Sequence, residues 1–490
     1  MKKHVLLSFL ALIPLSLTSC GESPKVDPYK KLEKSVETYY TYGQKYSGKK
    51  RYSSAVGNQK ILVVPVIIDG YESNATEANK NKIEKAFFGS TSETGFESVS
   101  SYFKKSSFEA LNLSGEVLDW VDINMSPKDV YDANNPQYVD YGTFTVLNKV
   151  YEYLKTLDFD ISSYDVNEDG YIDSIYMIFS CETRIAFDDI ASNDPLNPFW
   201  AITYADIPNI NKEHTHSNPI PHMYSWSSYD LVNKGQSIGI TYDAHTYIHE
   251  MGHIFGLDDY YDYDGLHSPL GCFDMQDYNV GDHNAFSKYA FGWTKPYYVN
   301  GDCEITIYPS SSTGDSVIIG EPGKEFSNSA FDEYIMLELL TPTQLWAFDS
   351  THAYPNLGQK TYQNPGVRML HVDARCQSNK GIVSTFSDVD SVYQLCSNTP
   401  SRSYRHISTP TSKYDLVNII PANNLKGYQT SGTYVANDNA LFKSGQIFTS
   451  GDYEFYFFNG LLHNGKEFPY RITFKNVTLE KAVIEITVIK

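Results

Sequence analysis

The chain has 490 residues, 41% of them hydrophobic, which suffices for a full buried core and for two or three domains. Its 59 acidic residues outnumber 39 basic ones, for a formal charge of −20. That balance argues against nucleic acid or anionic lipid as a binding partner and suits divalent cations.

In chain order, Lys2 and Lys3 precede an apolar run from Val5 to Leu17, too short for an ordinary transmembrane helix and typical of a signal peptide. Leu17-Thr18-Ser19-Cys20 reads as a bacterial lipobox. Residues 1–20 are therefore expected to be a lipoprotein signal peptide, with a lipid anchor on Cys20. No later apolar run is long enough to cross a bilayer, so the expected location is the bacterial cell surface. Residues 21–58 are polar and rich in lysine, tyrosine and serine, and read as a spacer.

An apolar strand is predicted from Lys60, helices over Asn79 to Phe88 and Val99 to Lys105, and an alternating strand from Leu111 to Val121. Tyr138 to Leu157 reads as a long helix and Ser174 to Ser180 as a buried strand. Between them, Asp165, Asn167, Asp169 and Asp173 place oxygen ligands at positions one, three, five and nine of a calcium loop. Gly170 falls at position six, and Tyr171 at seven would offer its backbone carbonyl. Position twelve is Tyr176 and lacks the bidentate glutamate, so a structural Ca2+ needs a further ligand or water. Asn211 to Pro221, with His214 and His216 among prolines and asparagines, reads as an exposed loop.

A helix predicted over Tyr242 to Phe255 carries the densest chemistry, His249-Glu250-Met251-Gly252-His253-Ile254-Phe255-Gly256-Leu257-Asp258-Asp259. Residues four apart share a helix face, so His249 and His253 can offer two imidazoles to one ion, with Glu250 beside them. Gly256 can take the left-handed conformation that turns the chain back, and Asp259 would return as third ligand, leaving a tetrahedral Zn2+ one open position. Glu250 is then the candidate general base. His245 extends the histidine stripe, but it lies roughly 12 Å along the helix from His253, too far to share an ion. The His245/His249 pair is followed by Thr246, which is no base, so His245 is expected to support or pack. Downstream, Met275 within Cys272-Phe273-Asp274-Met275-Gln276-Asp277-Tyr278 stands where a Met-turn would floor the metal.

With these residues the chain resembles the immune inhibitor A family of secreted bacterial zinc metallopeptidases. The resemblance rests on residues 249–262, on the Met275 segment and on Ala285 to Trp293. It extends less specifically to Ile61 to Ile67, Tyr102 to Ser107, Glu333 to Glu338 and Gly366 to Asp373. It implies a metzincin-like catalytic domain over residues 59–300 and hydrolysis of peptide bonds in a protein or peptide substrate. Tyr261 is implied to lie near the metal, and Tyr278 is the candidate transition-state stabiliser. The chain departs from the family at Asp258, where proline is usual, and by having two residues between Met275 and Tyr278.

Beyond residue 300 the runs Ile305 to Tyr308, Tyr453 to Phe458, Arg471 to Phe474 and Val483 to Val488 alternate like strands, predicting a β-rich, sandwich-like accessory domain over 301–490. The fold class expected is α+β. His371, alone in such a run, reads as structural. Besides Cys20 there are five cysteines, an odd number; Cys376 with Cys396 would close a short loop. Two functions follow: a membrane-anchored zinc metalloendopeptidase, or a non-catalytic surface lipoprotein or adhesin retaining a peptidase fold. Hydrolysis of a non-peptide amide is a third.

Overall fold

The computed structural model describes residues 29–45, 52–134, 143–194, 197–205, 212–378, 381–383, 392–402, 414–457 and 460–489. The expected signal peptide, Cys20 and residues 21–28 and 46–51 of the expected spacer lie outside them, as do the first residues of the helix predicted from Tyr138. Among the described residues no helix is long and apolar enough to cross a membrane.

The fold is mixed α and β, with several sheets, compatible with the α+β expectation. The first large sheet runs in the order Leu111–Val117, Gly57–Ile67, Ile175–Phe179, Met223–Ser228, Ile202–Ala205. Its first four strands are parallel, and the edge strand Ile202–Ala205 is antiparallel. Side chains alternate along a strand, so the continuous apolar runs serve two faces. Ile61, Val63, Tyr176 and Ile178 join one core with the helices Glu77–Phe88, Val99–Ser106 and His245–Ile254. Leu62, Val64, Val66, Ile175, Met177 and Phe179 face the other core, closed by Val146, Leu147, Val150 and Leu154 of the helix Thr143–Leu154.

The second half is β-rich as expected. A six-stranded sheet in the order Tyr29–Lys31, Tyr297–Val299, Val317–Ile319, Glu333–Leu340, Gly366–Asp373, Val417–Ile419 faces a four-stranded sheet of Cys303–Ile307, Ala482–Val488, Tyr470–Val477 and Ile447–Thr449. Val317, Ile319, Ile335, Leu337, Val367 and Met369 pack with Ile305, Ile472, Phe474, Ile484 and Ile486 between them. The alternate residues Ile318, Met336, Leu370 and Val372 belong to the same core as the His245–Ile254 helix.

Three expectations look different in the structure. Across the cut expected at residue 300, strand Tyr297–Val299 pairs with Val317–Ile319, and one apolar core continues, because both faces of the six-stranded sheet need cover. Residues 29–42 are not a loose spacer, since Tyr29–Lys31 completes that sheet and Leu32 and Tyr39 are buried in its core. Finally, within the strand predicted over Tyr453 to Phe458, whose last residue lies outside the described ones, Glu454–Tyr456 forms a 3-10 turn, and Tyr453, Tyr456 and Phe457 are buried in one core, a pattern that mimics alternation over so short a run.

A chain ending at residue 300 is thus expected not to fold alone: near-ultraviolet circular dichroism should be lost and dye binding to exposed apolar surface gained, whereas residues 29–490 should unfold in one cooperative step.

Candidate metal centre

The helix His245–Ile254 lies against the edge of the first sheet, with Tyr247, Ile248, Met251 and Ile254 in the core. Its Gly252 permits close approach of the Met275 segment: a Cβ there would sit 2.2 Å from Gln276 Oε1. After Phe255 the chain reverses at Gly256, φ +112°, where a Cβ would lie 2.5 Å from that of Tyr39. The reversal is sealed by the Leu257 N–H donating to the Gly252 carbonyl at 3.0 Å. Asp258 accepts the Ser397 hydroxyl at 3.3 Å.

The reversal brings Asp259 Oδ1 to 2.9 Å from His249 Nε2 and 3.3 Å from His253 Nε2, and the two Nε2 atoms lie 3.2 Å apart. Each ring is fixed from behind: His249 Nδ1 donates to the Met275 carbonyl and His253 Nδ1 to the Leu257 carbonyl, both at 2.8 Å. Both lone pairs therefore face the common centre. The second oxygen of Asp259 accepts the Tyr263 hydroxyl, while Oδ1 is buried without a hydrogen-bond donor. Donors of a tetrahedral zinc stand about 3.4 Å apart at bonds near 2.1 Å, so two imidazoles and an orphaned carboxylate oxygen at 2.9–3.3 Å fit such an ion. Without it, burial opposes charge on His253, but Asp259 outweighs this and holds the imidazole up at about 9, while the two histidines keep Asp259 well below its ordinary range.

Glu250 is buried beside this cluster. Its Oε2 accepts the Thr203 hydroxyl at 2.8 Å, and Thr203 is itself 2.7 Å from Ser225 Oγ across the strand pair. Burial pushes the carboxyl of Glu250 up against the pull of His253 and His249. His249, Glu250, His253 and Asp259 line one cavity of about 1010 Å³, together with Tyr261 and Tyr278. Tyr261, implied near the metal, stacks 6.4 Å from the His249 ring. Met275 is fully buried at the start of a one-turn helix that Asp274 caps through the Gln276 N–H at 3.0 Å.

The other expected sites behave differently. His245 is buried away from the ligand set, stacked on Phe96 and bonded through Nδ1 to Asp243 at 2.8 Å. In the acidic turn, Asp165 accepts the N–H groups of Asp169 and Gly170, Asn167 that of Asp169, Asp169 that of Tyr171, and Asp173 that of Val166. His216 Nδ1 lies 3.2 Å from Asp165, and His214 packs on the Tyr171 ring, so this histidine loop docks on the turn. The carboxylates of Asp165, Asp169 and Asp173 do not converge into a ligand cluster as His249, His253 and Asp259 do. The turn's own N–H groups thus close it around the side-chain oxygens of the calcium-loop spacing.

His371 does have company: Glu333 at 3.0 Å and the ring of His463 at 4.4 Å. With Glu333 and His463 it forms a second buried group of donor atoms close enough to hold a metal ion, and Arg375 bridges Glu333 and the neighbouring Asp373 at 3.0 and 2.7 Å. Cys181, Cys272, Cys303, Cys376 and Cys396 form no disulfide among themselves. Sequence reasoning missed Thr203, Ser225 and the capping Asp274, and it left Tyr263, four residues past Asp259, as a packing tyrosine near the site.

No known family model matches the chain, and no curated protein matches it at a significant level.

Gly256→Ala is expected to cost at least about 2 kcal/mol in denaturant unfolding, from positive φ plus the clash with Tyr39. A second prediction concerns His245. Burial opposes its charge, but Asp243 and Asp349 hold it up at about 9, so its stabilisation is complete below its unfolded pKa near 6.5 and lost as pH rises through 9. The fall in Tm between pH 7 and 10 should therefore be smaller in His245→Gln than in wild type.

Proposed function

We propose that the protein is a zinc-dependent metalloendopeptidase of metzincin-like fold, allied to the immune inhibitor A family and held at a bacterial surface through Cys20. The convergence of His249 Nε2, His253 Nε2 and Asp259 Oδ1 beside Glu250, in a cavity of about 1010 Å³, carries this reading. His249, His253 and Asp259 would hold the ion, with Tyr263 orienting the carboxylate. Bound zinc supplies Lewis acidity, which polarises a carbonyl and brings a water towards pKa ~7.

The remaining steps belong to the side chains. Glu250, its Oε2 steadied by Thr203, takes the proton of the attacking water and returns it to the leaving amine nitrogen. A carboxyl raised by burial suits both duties, since it must gain and lose one proton in a cycle near neutral pH. Tyr278, whose residue lines the same cavity, is the candidate donor to the oxyanion that develops on the substrate carbonyl. The cavity is large enough to admit a polypeptide segment, which favours proteins over small amides as substrates.

Zinc per molecule and turnover of protein substrates test this together. Wild type and Glu250→Gln should each carry one zinc, with turnover in the variant lower by ~10²–10⁴; Asp259→Ala should lose the ion. Unchanged turnover in Glu250→Gln would remove it as base. Zinc bound without any turnover in wild type would favour the surface binding module instead.

A further inference from the structure

Five arginines fall among the described residues, and Arg368 and Arg375 are buried in ion pairs. Of the three others, Arg184 and Arg402 both line the cavity of His249 and Glu250. They come from different walls and are presented alike. The Arg184 guanidinium lies 4.2 Å over the ring of Trp200, just before the edge strand; that of Arg402 lies 3.8 Å over the ring of Tyr263, which holds Asp259. Each follows a hydroxyl residue that ties the turn to a neighbouring acid. Thr183 donates both its N–H and its hydroxyl to Asp230 Oδ1 at 2.9 Å, and Ser401 donates its N–H and hydroxyl to the two oxygens of Asp264 at 2.8 and 2.6 Å.

Asp230 and Asp264 are thereby engaged by the turns, and among the described residues neither guanidinium has a carboxylate ion-pair partner. Stacking on a ring fixes the plane of a guanidinium and leaves its N–H edge to bind a carboxylate with two parallel bonds. An anionic segment approaching a chain of net charge −20 is repelled at long range, so local cations are what would admit it.

We propose that Arg184 and Arg402 make this cavity select polypeptide segments bearing aspartate or glutamate side chains beside the bond to be cut, an inference that rests on the peptidase reading of the site. Both arginines are exposed, so each ion pair is modest, about fivefold in affinity, and the pair together sets the preference.

The test uses the full chain as zinc-loaded Glu250→Gln and two labelled peptides that share one core, one flanked by Asp and Glu, the other by Asn and Gln, with binding read by fluorescence anisotropy. The acidic peptide is expected to bind at least about tenfold tighter, less so as salt is raised. Arg184→Gln and Arg402→Gln should each weaken only the acidic peptide, the double variant should abolish the preference, and Tm should stay unchanged because both positions are exposed. Equal affinity for the two peptides, or a preference that survives in the double variant, overturns the proposal. Wild-type hydrolysis of both peptides with equal kcat/KM overturns it too, while sparing the peptidase reading. A charge preference in binding with no hydrolysis by wild type overturns the peptidase reading and leaves the selection by charge standing.

Discussion

A chain reversal held at Gly256 is the constraint on which the rest of the site depends. An α-helix can place two imidazoles on one face by itself, but a third donor has to come from beyond the helix end, and only a positive-φ residue lets the chain return within five residues. Tyr39 fills the space where a side chain at Gly256 would stand, and the Leu257 carbonyl made available by the turn orients His253. The same few residues thus end the helix, aim the His253 imidazole and deliver the carboxylate of Asp259.

The support for that turn is drawn from the whole chain. Met275, whose carbonyl aims His249, sits on a segment fixed by Asp274, and Asp274 also accepts Asn284 Nδ2 at 3.0 Å. Beneath it, Arg368 from the six-stranded sheet donates to the Phe273 carbonyl and to Glu338, each at 2.9 Å. Past Asp259, the buried His267 bridges Asp262 and Asp415 at 2.9 and 2.8 Å, binding the ligand loop to the second half. Charges buried this way are costly to leave unpaired, so the two halves hold one geometry cooperatively rather than as linked modules.

Charge is distributed with the same economy. Glu250 and Asp259 lie beside the two histidines, and the two ring-stacked arginines line the same cavity. Both signs of charge thus meet in one cavity, in a protein that is otherwise strongly acidic.

Much of this was legible in the residues themselves, because it depends on short-range periodicity. The i, i+4 histidines, the adjacent glutamate, the glycine and the returning aspartate interact within eleven positions, and the strands of the first sheet are apolar runs long enough to read. Alternation misled where a run was short, at Glu454 to Tyr456, and the acidic turn with calcium-loop spacing closes on its own backbone N–H groups. What tertiary structure alone decided is whatever joins distant segments: Thr203 against Glu250, Arg368 under the Met275 segment, Tyr29–Lys31 completing a sheet near residue 298, and the single core across residue 300. Such contacts leave no local pattern, since side chains far apart in the chain meet only after both faces of a sheet have found their cover.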